Sequence, residues 1–466
     1  MNKIKKLVNQ TAIYGLSTIV GRLLNYLLVP LYTRYFIPEE YGIVTELYAY
    51  MAFLLVFLTY GMETAFFRFS KKERNIKKVY STALISIIST ALIFVLLVFV
   101  NTNEISRAIG LYDYKTYIKW LSLIVALDAI SSISFAKLRQ ENRAIKFSLI
   151  RLAGIFLNIF LNIVFIVYYN LGVEYIFIAN LIASSLVLCL LFTEIVKESL
   201  EFDLKLWKKM MIYALPLLVA GLAGMINETI DRILLKQLLP DTKIAAHEVG
   251  IYGAFYKLSI IMTLFVQTFR YAAEPFFFSQ EKEKNNTKIY ADVMKYFVIV
   301  TAIIFLSVTM FYDIIKRFIG SDYHDERGFL VVSILLLANM FLGIYYNLSI
   351  WYKLIEKTKY GAIFSIFGAA ITLLLNIILI PLIGFEGSAW ATLACYFSMC
   401  LLSYFTGKKH YPIPYNINKI VFYMFVMFSF YFSMIYYNFS MFINSICLVL
   451  FIVLVIVLEK KAKPNY

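Results

Sequence analysis

The chain has 466 residues, of which 61% are hydrophobic and only 16% charged, with a mean hydropathy of +0.75 and a net charge of +15. Soluble proteins are nearer half apolar and a quarter charged, so this composition excludes a water-soluble globule. It points instead to an all-α membrane protein, because helices satisfy their own backbone hydrogen bonds in lipid.

Apolar stretches of membrane-spanning length predict about fourteen transmembrane helices. In chain order they cover 10–34, 41–68, 79–101, 117–136, 147–169, 173–196 and 212–237, then 249–278, 290–313, 328–352, 360–382, 387–406, 418–437 and 440–458. Lys3, Lys5 and Lys6 precede the first run in the manner of a signal peptide. That run is too long for one, carries Arg22 and Asn25, and has no small-residue cleavage site after it, so it reads as a retained first helix.

The loops divide the positive charge unevenly. Loops 71–78, 137–146, 197–209, 281–288, 353–359 and 407–410 share one side with both termini. That side carries about 27 Lys and Arg against about 7 on the other. Both termini are therefore expected in the cytoplasm. This placement turns the net charge from a nucleic-acid signal into one of orientation. Cys189, Cys395, Cys400 and Cys447 fall inside spans as buried thiols, and His247, His324 and His410 fall in predicted loops without metal-ligand spacing.

An internal repeat runs through these elements. Glu40-Tyr41-Gly42-Ile43 opens span two and Glu248-Val249-Gly250-Ile251 opens span eight, with Tyr48 and Tyr256 each six residues past the glycine. The same register pairs Asn25 with Asn227. Leu161-Asn162-Ile163 in span five matches Leu375-Asn376-Ile377 in span eleven. These matches predict two homologous six-helix lobes, residues 1–200 and 201–410. Two additional helices and a tail follow, in 411–466. Six is even, so the copies share one orientation, the arrangement in which lobes rock about a site between them.

Ionisable residues inside spans are costly and mark functional positions by default. They gather in spans one, two, seven and eight. Arg22 lies about twelve residues, or ~18 Å, into span one. Span two has Glu46, Glu63 and Arg68; span seven has Glu228, Asp231, Arg232 and Lys236; span eight has Lys257, Arg270 and Glu274. Glu228, Arg232 and Lys236 recur every four residues on one helix face, as do Arg270 and Glu274. Two readings of these faces stand side by side. They line a water-filled cavity whose cations Arg22, Arg270, Arg232 and Lys257 hold an anionic group, or they form internal ion pairs that fix helices in place. Glu46, Glu63, Asp128, Glu228 and Asp231 are the carboxylates available to the cavity or to coupling with a proton or sodium gradient. No cofactor or metal is expected. Pro30, Pro216 and Pro275 lie in spans one, seven and eight, where each permits a kink.

Gly21-Arg22, Tyr32-Thr33-Arg34-Tyr35-Phe36 and Pro38-Glu39-Glu40-Tyr41-Gly42 resemble the polysaccharide biosynthesis proteins of the O-antigen flippase type. These belong to the multidrug/oligosaccharidyl-lipid/polysaccharide exporter superfamily. Gly61 through Arg68, Asp231-Arg232, Val249 through Tyr252, and Leu375-Asn376 through Pro381, Gly384 and Gly387 extend the resemblance over nearly the whole chain. It implies alternating access, a central cationic cavity and export of an undecaprenyl-diphosphate-linked oligosaccharide for O-antigen, capsule or exopolysaccharide. Membrane lipid and a polysaccharide polymerase are the implied partners. The lipid II flippases and the multidrug-type exporters of the superfamily are the alternatives. A membrane-embedded glycosyltransferase needs a catalytic loop domain, and loops of about a dozen residues leave no room for one.

Overall fold

A computed structural model describes residues 20–461 apart from 72, 74, 197–200, 281, 282 and 284. The expectations for Lys3, Lys5, Lys6 and the start of span one lie outside the described residues. Within them the chain is helices joined by short loops, with no strand.

After a helical stretch at 20–26, the first unit contains α1 (Leu28–Tyr35), α2 (Pro38–Thr59), α3 (Met62–Ser70) and α4 (Ile76–Val100). It continues with α5 (Lys115–Gln140), α6 (Ala144–Asn162), α7 (Glu174–Val196), α8 (Leu204–Leu238) and the start of α9 (Thr242–Leu258). The second unit holds the rest of α9, then α10 (Ile260–Ser279), α11 (Asn286–Met310), α12 (Gly328–Leu348) and α13 (Lys359–Ile383). It ends with α14 (Phe385–His410), α15 (Ile417–Tyr437) and α16 (Met441–Lys461). Twelve described helical segments are long and apolar enough to cross a membrane, and the bent pair α9–α10 brings the number to thirteen. The remaining predicted span is the first, of which α1 is the described end. The chain is therefore a multi-pass membrane protein with the expected all-α fold.

Local sequence explains the irregularities. α2 and α3 form one span broken at Tyr60 and Gly61, both at positive φ. Gly61 suits that break, since glycine enters this region without strain. α6 ends in a π-helical turn, Ile163–Tyr168. The 52° bend between α9 and α10 falls at Ser259. Two histidines expected in loops are helical. His247 lies in α9 and His410 in the last turn of α14, because both helices outrun their hydropathy windows; His324 is in a loop.

The two compact units are Met1–Gly250 and Ile251–Tyr466. This division follows packing, whereas the repeat follows sequence. Span seven stays with the first unit because α8 packs on α2 and α3, and the segment before it is docked on α4. The Ser81 hydroxyl donates to the Glu201 carbonyl at 2.7 Å, the Trp207 indole donates to Ser86 at 2.7 Å, and Lys78 pairs with Asp203 at 2.7 Å. Asp203 also caps α8, accepting from the Leu206 amide at 3.0 Å. Together the Lys78 ammonium and the cap pull the Asp203 carboxyl down to about 2. Its folded pKa lies below the unfolded value of about 3.9, so its stabilisation is present above about pH 4 and is lost as pH falls towards 2. Asp203→Asn should keep the cap and remove this acid limb. Unfolding midpoints of variant and parent in detergent should differ at neutral pH and converge near pH 2, and a constant difference would refute this assignment.

α5 is the central helix of the first unit, touching α2, α3, α4, α6 and α7. Ser122, Ala126, Ala129, Ser131, Ser134 and Ala136 are its buried small residues, which let neighbouring backbones approach. In the second unit two helices are equally buried. Two thirds of the apolar stretch of α11 is covered, against one third for its repeat equivalent α4. The extra cover comes from α15 and α16, which pack on α11. Glu459 fastens them, binding Lys295 at 2.6 Å, Lys419 at 3.1 Å and the Tyr423 hydroxyl at 2.6 Å. The Asn444 amide adds a bond to the Met310 carbonyl at 2.9 Å.

Candidate functional site

The charges of spans two and seven meet in the first unit. α2 opens with Pro38 in its first turn, and Glu40 accepts from the Ile37 amide at 3.3 Å. α9 opens after Asp241, whose carboxylate accepts the Lys243 and Ile244 amides at 2.8 and 3.0 Å. The two helix starts then touch backbone to backbone. A Cβ on Gly42 would run into the Ala246 carbonyl, and a Cβ on Gly250 would run into the Pro38 carbonyl. Pro38 and Ala246 each precede their glycine by one helical turn. The contact is thus reciprocal, and it is made by the two glycines that the repeat equates. Glu39 and His247 flank it, their side chains 3.1 Å apart.

Further along α2 the seam becomes charged. Glu46 is 1% exposed, faces the charge of Lys236, and has one carboxylate oxygen without a hydrogen-bond partner among the described residues. The Lys236 ammonium donates to the Thr242 carbonyl at 2.7 Å. Gln237 donates to the Tyr50 hydroxyl at 3.1 Å. Arg232 is buried near Tyr41, and its guanidinium donates to the Glu228 main-chain carbonyl at 2.8 Å and to Asp231 at 3.4 Å. Glu228 itself is exposed. The four-residue spacing therefore places Glu228 and Arg232 on one face, but the bond that forms goes to the backbone of Glu228. Charges this dry need partners; Lys236 is the charge that faces Glu46, but no direct ion pair closes between them among the described residues.

A second polar layer ties the rest of the unit. The Tyr32 hydroxyl donates to Asn162 at 2.9 Å, Asn180 donates to the Tyr48 hydroxyl at 3.1 Å, and Asp128 hydrogen-bonds Ser184. The repeat asparagines behave alike. Asn162 and Asn376 are fully buried, and each donates its amide to the carbonyl four residues earlier at 2.8 Å.

The remaining predicted residues are spread out. Glu63 pairs with Arg139 of α5. Arg22 is exposed. Arg68 lies over the Tyr213 ring at 4.2 Å. In the second unit, Arg270 lies over Tyr346 at 4.8 Å, Lys257 is half-buried, and Glu274 pairs with Lys353 at 3.0 Å, not with Arg270 one turn away.

Hydropathy reading misses one dense cluster. Glu194, near the end of α7, is 1% exposed and gathers Arg143 at 2.9 Å, Lys146 at 2.5 Å and Lys137 at 3.9 Å. Its cations count only as loop charge in the sequence. The available signal was a single carboxylate near a span end facing a strongly basic loop. Among the described residues no group of three His, Cys, Asp or Glu side chains gathers as a metal site.

This fold is shared with known transporters. A structure of the lipid II flippase MurJ in an inward closed conformation matches with a TM-score of 0.77 at 17% identity, covering 96% of this chain and 99% of that one. An inward-facing multidrug resistance MATE family transporter of the MOP superfamily matches with a TM-score of 0.67 at 13% identity, covering 88% and 98%. A MOP superfamily transporter from Pyrococcus furiosus matches with a TM-score of 0.59 at 14% identity, covering 87% and 94%. No curated protein matches the chain. A family model described as "Polysaccharide biosynthesis protein" matches residues 7–279, more than half of the sequence, and the chain belongs to that family.

Proposed function

We propose that the chain is a flippase that carries an undecaprenyl-diphosphate-linked oligosaccharide across the bacterial inner membrane by alternating access. The oligosaccharide would be an O-antigen, capsule or exopolysaccharide unit. The observation that carries this reading is the pair of buried cations, Arg232 and Lys236, on one membrane helix of a polysaccharide biosynthesis chain. A cation in lipid is retained where something anionic needs it. Arg22, Arg270 and Lys257 are the further candidates for the diphosphate, and arginine's planar fork suits that group. Glu46 and Asp128 are the carboxylates through which a proton or sodium gradient would drive the cycle, with a polymerase receiving the flipped unit.

Deleting the gene should leave undecaprenyl-linked sugar on the cytoplasmic leaflet and remove surface polysaccharide. Normal surface polysaccharide, with no second copy in the genome, would refute the proposal. The MurJ likeness favours one second reading, a lipid II flippase. Rescue of growth in a strain depleted of its lipid II flippase would support that reading over the first.

A further inference from the structure

Glu46 and Lys236 face each other across the α2–α8 seam, yet the pair stays open. Glu46 is deeply buried, and one of its oxygens has no partner among the described residues. The Lys236 ammonium, also buried, donates instead to the main-chain carbonyl of Thr242, the first residue of α9, at 2.7 Å. An ionised carboxylate in so dry a place is costly unless a cation closes on it. Lysine carries its charge on a flexible stem, and an ammonium bonds an ionised carboxylate more strongly than a neutral carbonyl. Its seat on Thr242 therefore points to a Glu46 carboxyl group without charge. The groups around the pair are occupied elsewhere. Tyr50, one turn along α2, accepts from Gln237 at 3.1 Å. Arg232, one turn back on α8, bonds the Glu228 carbonyl and Asp231. Asp241 adds its charge to the surroundings of Lys236, but its carboxylate caps α9 through the Lys243 and Ile244 amides.

We propose that Glu46 is a proton-binding switch that moves Lys236 between two acceptors. With the proton on, Lys236 bonds Thr242 and ties the start of α9 to α8, as in this structure. When the proton leaves for water, the Lys236 ammonium swings to the new carboxylate and Thr242 is released. The occupant is a proton and not sodium, because the ammonium that faces the carboxylate repels a metal cation there. The switch brackets the glycine contact. Thr242 lies one turn before Ala246, whose carbonyl meets Gly42, and Glu46 lies one turn beyond Gly42. Proton loss thus loosens α9 beside the place where it touches α2. A role for this step in the transport cycle rests on the flippase reading; the proton site itself does not.

The test is infrared difference spectroscopy of the full chain in detergent, with hydrogen exchange read on the same samples. A step from about pH 7 to about pH 9 should remove the carbonyl stretch of one buried carboxylic acid, since ordinary glutamates are ionised throughout. The band should be missing from Glu46→Gln and kept in Asp128→Asn, which removes a different carboxyl of the same unit. In Lys236→Met it should persist to a pH higher by about one unit or more, because the cation that favours the carboxylate is gone. At about pH 9 the amides of 243–250 should exchange several-fold faster in the parent than in Glu46→Gln, and at about pH 7 equally. The glutamine keeps the shape of the protonated acid, so this variant should fold. A parent without a Glu46 band at about pH 7 would overturn the proposal. Loss of the band at constant pH when sodium replaces potassium would overturn it too, assigning the site to sodium. Equal exchange at about pH 9 would refute the switch and leave Glu46 a static buried acid. Neither measurement involves a cargo, so failure of the flippase reading would leave both unchanged.

Discussion

As the proposed flippase, the chain with Gly42→Ala should transport about tenfold less or worse, although the substitution adds a single methyl group. The added Cβ would occupy the position of the Ala246 carbonyl, so the starts of α2 and α9 must separate. A backbone atom has no rotamer by which to yield. Overpacking of this kind costs about 1–3 kcal/mol, and a bias of that size between two conformations changes their ratio by about 5–150-fold. The conformation with the two helix starts in contact would be disfavoured, and a transporter cycling between two states turns over only as fast as the disfavoured one is reached. Gly250→Ala should act alike, since its Cβ meets Pro38 in the reciprocal half of the contact.

Two measurements check this expectation. The first is restoration of surface polysaccharide in a deletion strain. The second is cross-linking, by a short thiol-reactive bifunctional reagent, of cysteines placed at Glu39 and His247, whose side chains meet at 3.1 Å beside the contact. Cross-linking should be fast in the parent and slow with Gly42→Ala. Gly224→Ala is the matched control, because a Cβ there meets nothing within 4 Å. It should leave transport unchanged and stabilise α8 by up to about 1 kcal/mol. Unchanged cross-linking and transport in Gly42→Ala would show that the contact plays no part in the cycle.

The same glycines show what a repeat in sequence carries and what it leaves out. The match of Glu40 through Ile43 with Glu248 through Ile251 declares two segments equivalent. It does not say that equivalent segments touch, because similarity between copies carries no distance. Span number and helix type were legible because lipid imposes length and apolarity on every crossing. The added burial of α11 was not, since it depends on α15 and α16 packing there through Glu459, far along the chain. Charges were legible as positions but not as pairs. Spacing placed Arg270 beside Glu274, yet Glu274 bonds Lys353 from another segment. Arg232 shows a further limit, because a long side chain can curl onto its own helix backbone, here the Glu228 carbonyl, instead of the nearest carboxylate. Glu46 was read as a candidate from its depth alone, and its opposition to Lys236 needed the packing of α2 on α8.

Glu194→Ala should destabilise the protein far more than breaking the more exposed Glu63–Arg139 ion pair of the first unit. Glu194 and Lys137 have side chains only 2% and 6% exposed, and the carboxylate balances Arg143 and Lys146 as well. Removing one partner from a buried pair leaves charge in low dielectric and costs about 3–5 kcal/mol. The Glu63–Arg139 pair is a third exposed on both sides. Water and counterions replace such a partner cheaply, so Glu63→Ala should cost about 0–1 kcal/mol. Thermal or denaturant unfolding of the purified chain in detergent separates the two. The difference should shrink when Lys137→Met accompanies Glu194→Ala, because the most deeply buried cation is then gone as well. Equal costs for Glu194→Ala and Glu63→Ala would mean that water reaches the Glu194 cluster. The α6–α7 end would then be held by apolar packing of Leu138, Phe147, Ile150 and Leu191, whose contacts both substitutions leave in place.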